Sequence, residues 1–186
     1  MKAKLKIKIS LLLFVTLVLN IGLLNLSCKK TKEKVDELTE FDINYTTNLT
    51  VPSHTLATNV PVDFTTPDIS TNSSNKFLEN NTTRELVSEI KLTKYNISVA
   101  TGNLDFLKSL SIYIKSTSGE TLIGTKTNIP AGVSETQLDL ADVNIKSFII
   151  EPSMKFRVTV TIDASTVNGQ NLKMDQTVRV KAILSK

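Results

Sequence analysis

Met154-Lys155-Phe156-Arg157-Val158-Thr159-Val160-Thr161-Ile162 alternates apolar and polar side chains at every step. Successive side chains of an extended chain point to opposite faces, so this stretch reads as a strand with one buried and one wetted face. A second alternating run follows. Leu172, Met174, Val178, Val180, Ala182 and Leu184 lie on one side, Lys173, Asp175, Arg179 and Lys181 on the other, and Asn168-Gly169 sits between the two runs. Two such runs about a Gly-containing loop predict an antiparallel hairpin.

The same habit recurs upstream. Phe41, Ile43, Tyr45, Thr47, Leu49 and Val51 alternate with Asp42, Asn44, Thr46, Asn48 and Thr50, and Pro52 ends that strand. Leu56 to Thr66 repeats it, with Val60, Val62 and Phe64 inward. Pro67 to Asn81 is polar and turn-rich and reads as a long loop or an ordered excursion, pinned by Phe77 and Leu78. Thr82-Thr83-Arg84-Glu85 has the spacing of a capping box, and Leu86, Val87 and Ile90 follow it, which predicts one short helix over Thr83–Ile90.

Further strands are predicted over Leu92–Thr101, Ser109–Lys115, Leu122–Thr127 and Thr136–Leu140. Gly102-Asn103 and Ser116-Thr117-Ser118-Gly119 are the turns, Leu104 and Leu107 hold a single turn, and Asp142 is placed to cap a short turn through Phe148 and Ile149. Seven to eight antiparallel strands with one short helix fit a mainly β fold, an antiparallel β-sandwich with immunoglobulin-like packing over residues 41–186. A small barrel is the alternative. Cys28 is the only cysteine and tryptophan is absent, so the disulfide and buried Trp of antibody domains are missing.

The formal charge of +4 arises outside that domain. Lys2, Lys4, Lys6 and Lys8 precede an uncharged run, Ile9 to Leu24, and then Asn25, Leu26, Ser27 and Cys28. Without those four lysines, 18 Lys and Arg face 18 Asp and Glu, so the remainder is neutral. A nucleic-acid footprint needs clustered positive excess, so no nucleic-acid partner is expected. A basic start, an apolar run shorter than the ~20 residues of a spanning helix, and a small residue before Cys28 form a secretory pattern. Residues 28–40, Lys-rich and mixed in sign, read as a solvated tether.

Leu24-Asn25-Leu26-Ser27-Cys28 resembles the lipobox of bacterial lipoprotein precursors, with Asn25 where Leu is usual. The resemblance implies a signal peptide over residues 1–27, cleavage before Cys28, and acyl chains on Cys28, palmitate among them. It further implies a place at the cell outer membrane facing the periplasm or the cell surface, with the lipid bilayer as first partner. Beyond the signal, Asn80-Asn81-Thr82 before Glu85-Leu86-Val87, and Asp105-Phe106-Leu107-Lys108-Ser109 before Ile112-Tyr113-Ile114, resemble in style small Gram-negative lipoproteins with one β-sandwich. That likeness transfers no residue role.

Chemistry-bearing residues are few. His54 is the sole histidine and lacks the partners of a catalytic triad. One His and one Cys cannot hold a transition metal, and Asp163, Asn168 and Asn171 lack the calcium-loop pattern. Glu85 and Glu89 share a face of the expected helix and read as solvated. Tyr113 points outward and is the one candidate sugar platform, whereas Tyr45 and Tyr95 belong to the core. The N-x-S/T triplets at Asn44, Asn48 and Asn96 are by-products of a chain rich in Asn, Ser and Thr. No catalytic residue, cofactor or metal is assigned. The expectation is a non-enzymatic binding or structural module of the cell envelope, meeting an envelope protein or glycan. The alternatives are a ligand pocket, between the sheets or under residues 67–81, and a secreted hydrolase.

Overall fold

The computed structural model describes residues 40–55, 59–163, 166–167 and 169–182. The first sheet runs in the order β1 (Glu40–Val51), β12 (Gln170–Ala182), β5 (Val87–Val99) and β8 (Glu135–Gln137). The second runs β3 (Pro61–Thr65), β10 (Ser153–Ile162), β6 (Leu107–Ser116), β7 (Gly119–Thr127) and β9 (Asp139–Leu140), with β4 (Ile69–Ser70) also paired to β10. β2 (His54–Thr55) pairs with β11 (Thr166–Val167) alone. Two short helices are α1 (Ser73–Glu79) and α2 (Lys146–Ile149).

The expected hairpin of the last two long strands does not form. β10 pairs with β3, β4 and β6, and β12 pairs with β1 and β5, so the two lie in different sheets. Alternation gave each strand its buried face but not its neighbour, and both faces are buried by placing them on opposite sides of one core.

The pairing has a simple logic. β1 pairs with β12, β2 with β11, β3 with β10, β5 with β8, and β6 with β7. These are the rungs of one long antiparallel ribbon, folded at the β6–β7 turn. Rolling the ribbon adds the contacts β12–β5 and β10–β6 and divides it into two sheets. That is the jelly-roll arrangement of antiparallel β-structure, and its neighbours differ from the immunoglobulin order. β2–β11 is where both arms of the ribbon turn together from one sheet to the other.

The core lies between the sheets. Ile43, Leu49, Ile90, Ile97, Leu172 and Val180 from the first sheet meet Leu110, Ile112, Ile114, Val158, Val160 and Ile162 from the second. Tyr95 and Phe156 bridge them edge to face, with centroids 5.6 Å apart. Tyr45 is buried with them and Phe64 is half-buried, whereas Val60 lies outside, ahead of the edge strand β3. Side chains therefore occupy the space between the sheets, where a pocket was one expectation.

Outward residues of β1 and β12 form a polar ladder in register. Arg179 grips Asp42 through Nε and Nη2 at 2.8 and 2.9 Å. Thr177 donates to Asn44, Thr46 to Asp175, and Thr50 to Asn171, at 2.8, 2.7 and 2.8 Å. Directly opposed pairs of this kind stabilise a sheet by about 0.2–1 kcal/mol each.

The helix expected over Thr83–Ile90 is strand β5, preceded by a turn. Its three-residue spacing has another cause. β5 carries two bulges against β12, which leave Ser88 and Thr93 as extra residues. Each donates its hydroxyl to a β12 carbonyl, Ser88 to Lys181 and Thr93 to Thr177, both at 3.1 Å. An inserted residue stretches a period of two to three, so Val87/Ile90 and Leu92/Tyr95 imitate helical spacing. α1 instead lies inside the segment read as a loop and buries only Ser73 and Phe77, while Leu78 is exposed. The N-cap of α2 is Ile145, and the side chain that ties the turn before it is that of Asn144, whose Oδ1 accepts from the Lys146 and Ile90 amides, whereas Asp142 pairs with Lys91.

The expected strand Thr136–Leu140 divides at Leu138, so that β8 joins the first sheet and β9 the second. Leu138 is inserted between them over Gly124, where an added Cβ would lie 3.1 Å from Leu138 Cδ1 and 3.3 Å from the Asp139 carbonyl. Gly124→Ala is expected to cost about 1–3 kcal/mol through overpacking. Ile112→Ala, at a fully buried site, is expected to cost about 2–5 kcal/mol. Urea-denaturation midpoints of the two variants check both values.

Candidate functional site

Two surface clefts lie on either side of Glu151-Pro152, the link from α2 to β10. Sequence locks that link from both sides. Thr71 donates its amide to the Pro152 carbonyl at 3.1 Å and its hydroxyl to the Glu151 carbonyl. Tyr45, buried under the first sheet, donates its hydroxyl to the Thr71 carbonyl at 2.9 Å, and burial pushes its pKa up to about 12. Phe77 of α1 packs edge to face on Phe41 at 6.3 Å. The segment read as a loop is thus pinned to strands of both sheets.

One cleft, about 390 Å³, lies between the start of α1 and residues 150–152. Ser70, Asn72, Ser74 and Asn75 give it a neutral polar wall, and Arg84 lines it as the one cation. Asn75 donates to Asn72 at 2.7 Å, and Asn72 has a positive φ of 46° that an asparagine tolerates. The other cleft, about 530 Å³, is lined by Asp68, Lys115, Ser116, Thr117, Ser153 and Lys155 among others. Glu151 and Pro152 line both.

Glu151 is a carboxylate already fully engaged. It accepts from the Thr117 amide at 3.1 Å, the Thr117 hydroxyl at 2.8 Å, the Ser118 amide at 2.9 Å and the Ser118 hydroxyl. The Ser118 bond leads in holding its pKa at about 2. Every donor comes from the β6–β7 turn, so Glu151 clips the fold of the ribbon to the base of β10.

The residues singled out by sequence are scattered. Cys28 and Asn168 lie outside the described residues. His54 stands in β2 opposite Val167. Glu85 is in the turn before β5, and Glu89 is within β5 near Lys91 and Lys181, so they share no helix face. Tyr113 is covered, because the Arg157 guanidinium sits 3.9 Å over its ring. Glu120 and Asp63 hold that guanidinium, and the Glu120 bonds above all raise its pKa. Among the described residues no group of three His, Cys, Asp or Glu could hold a metal. Arg84, Lys115, Lys155 and Glu151 escaped the sequence reading. Arg84 lay in the false helix signal, and the Lys115–Lys155 juxtaposition exists only in the register of β6 with β10.

No protein-family model matches the chain, and no curated protein matches it in sequence. Solved structures overlap it loosely. A candidate secreted protein from Eubacterium rectale is 11% identical, with 76% of this chain and 40% of that chain covered and a TM-score of 0.39. This chain thus spans well under half the length of that protein. FLHE gives 9% identity, coverage of 76% and 97%, and a TM-score of 0.31, and Cocksfoot mottle virus gives 11%, 79% and 86%, and 0.31. Overlaps this loose carry no argument about family or function. The described residues form a mainly β domain of two antiparallel sheets packed as a sandwich.

The depressed Glu151 pKa predicts a pH effect. A carboxylate held below its ordinary 4.5 stabilises the fold fully above that value, and loses this stabilisation as pH falls toward about 2. Melting temperatures of wild type and Glu151→Gln are expected to differ most above pH 5 and to converge toward pH 2.

Proposed function

We propose that this chain is an extracytoplasmic lipoprotein, held at the outer membrane by acyl chains on Cys28, whose β-domain binds an envelope partner without catalysing a reaction. The observation that carries the reading is the order of parts. A basic start and an apolar run end at the sole cysteine, a short mixed-charge stretch follows, and the unit that holds the β-domain begins at Glu40. A solitary exported thiol is explained by lipidation. Two or three acyl chains, at about 0.8 kcal/mol per buried CH₂, hold a protein where one chain does not. No helix among the described residues is long and apolar enough to cross a membrane.

The non-catalytic part rests on the state of the cleft carboxylates. Asp68 and Glu151 line the same cleft, as an acid pair would in a glycoside hydrolase. A general acid needs a raised pKa, and that of Glu151 is lowered to about 2. Asp68 is paired with Lys155 at 3.3 Å.

Mass spectrometry of the mature N-terminus tests the anchor. The expected result is a chain beginning at Cys28 with a diacylglycerol adduct, and a Cys28→Ala variant that leaves the membrane fraction. An unmodified thiol, or membrane association that survives the substitution, would overturn the reading.

A further inference from the structure

From the two clefts we infer a binding track for a carboxylated polysaccharide, laid across Pro152 with Arg84 on one side and Lys115 and Lys155 on the other. The inference rests on the binding-module reading and names its ligand class.

Two independent observations carry it. The chain has three arginines. Arg157 and Arg179 are each gripped by carboxylates, at 2.5–3.3 Å and 2.8–2.9 Å. Arg84 has no carboxylate within salt-bridge distance among the described residues, and it is the one that lines a cleft. A guanidinium presents paired donors that match a carboxylate in plane, so an unpartnered one beside a preformed cavity is a ready carboxylate site.

The second observation is a like-charge pair. Lys115 and Lys155 stand directly opposite each other on β6 and β10, and both line the other cleft. Opposed like charges destabilise a sheet. Asp68 offsets Lys155 at 3.3 Å, but Lys115 has no ion-pair partner among the described residues. Glu120 faces it from β7, yet that carboxylate is held by Arg157. An anionic ligand in the cleft would meet Lys115, which no carboxylate among the described residues grips.

The walls select the ligand further. Ser70, Asn72, Ser74 and Asn75 offer neutral donors and acceptors suited to sugar hydroxyls. The ionised Glu151 between the clefts disfavours multiply charged phosphate. Cations on both sides of a shared boundary suit a chain with repeated single carboxylates. The Thr71 bonds hold that boundary in place, so little ordering opposes binding.

The test uses the full chain in nonionic detergent at low salt, with immobilised polygalacturonate as the probe and its fully methyl-esterified form as the neutral control. The expected result is binding to the acid form only. It should weaken about tenfold in Arg84→Gln, as for a lost charge-assisted hydrogen bond. Lys115→Gln should weaken it as well, and Lys94→Gln, on the outer face of the first sheet, should leave it unchanged. Equal binding to the esterified form, equal loss from Lys94→Gln, or stronger displacement by polyphosphate than by oligogalacturonate would each overturn the inference. The Cys28→Ala chain separates the two readings. Glycan binding by that chain sustains the track even if the anchor is disproved, and its absence from wild type that is membrane-bound overturns the track alone.

Discussion

The long strands β1, β5, β6, β10 and β12 each have one apolar face, and all of those faces must be buried in a single slab. Two sheets about one core satisfy that demand, but the chain then has to pass repeatedly from sheet to sheet. The rolled ribbon meets both requirements. Its arms stay hydrogen-bonded as they turn together at β2 and β11, so the passage costs few unpaired backbone groups. Tyr95 against Phe156 marks where the rolled halves meet. The remaining particulars, from the bulged β5 to the split between β8 and β9, are adjustments to this geometry.

The clefts are a by-product of the same roll. Where β10 leaves α2, the chain turns out of the core at Glu151-Pro152, and three distant parts of the sequence converge on it. Tyr45 reaches Thr71 from the first sheet, Thr71 holds the two carbonyls of the link, and Glu151 reaches the turn at Thr117 and Ser118. The surface on either side is therefore rigid although it is built from loops. Rigid loops on a packed scaffold are where binding residues concentrate.

Much of the strand content was legible. The runs at Phe41–Val51 and Met154–Ile162 show their buried faces by alternation alone, and the structure buries those faces. The turns at Gly102 and Gly119 were readable because their backbones have φ of 81° and 121°, which glycine adopts freely. The bulges at Ser88 and Thr93 misled, since an extra residue converts strand spacing into apparent helical spacing. α1 was hidden because its only large buried side chain is Phe77. Of the candidate site, only the segment 67–81 was singled out in sequence, and one cleft is lined by its residues 70–75; Arg84, Lys115 and Glu151 are unremarkable charges in sequence and gain meaning only from what lies opposite them.

The sequence by itself determined a mainly β domain with a core of Val, Ile, Leu and a few aromatic residues, because alternation is a local property that follows from strand geometry. It also determined the lipobox-like order of residues ahead of Cys28. The tertiary structure alone decided which strand pairs with which. β10 and β12 are successive long strands with matching faces, and a hairpin or a crossing between sheets satisfies those faces equally well. The choice depends on contacts over a hundred residues away, such as Asp42 with Arg179 at a sequence separation of 137, and no local pattern encodes them.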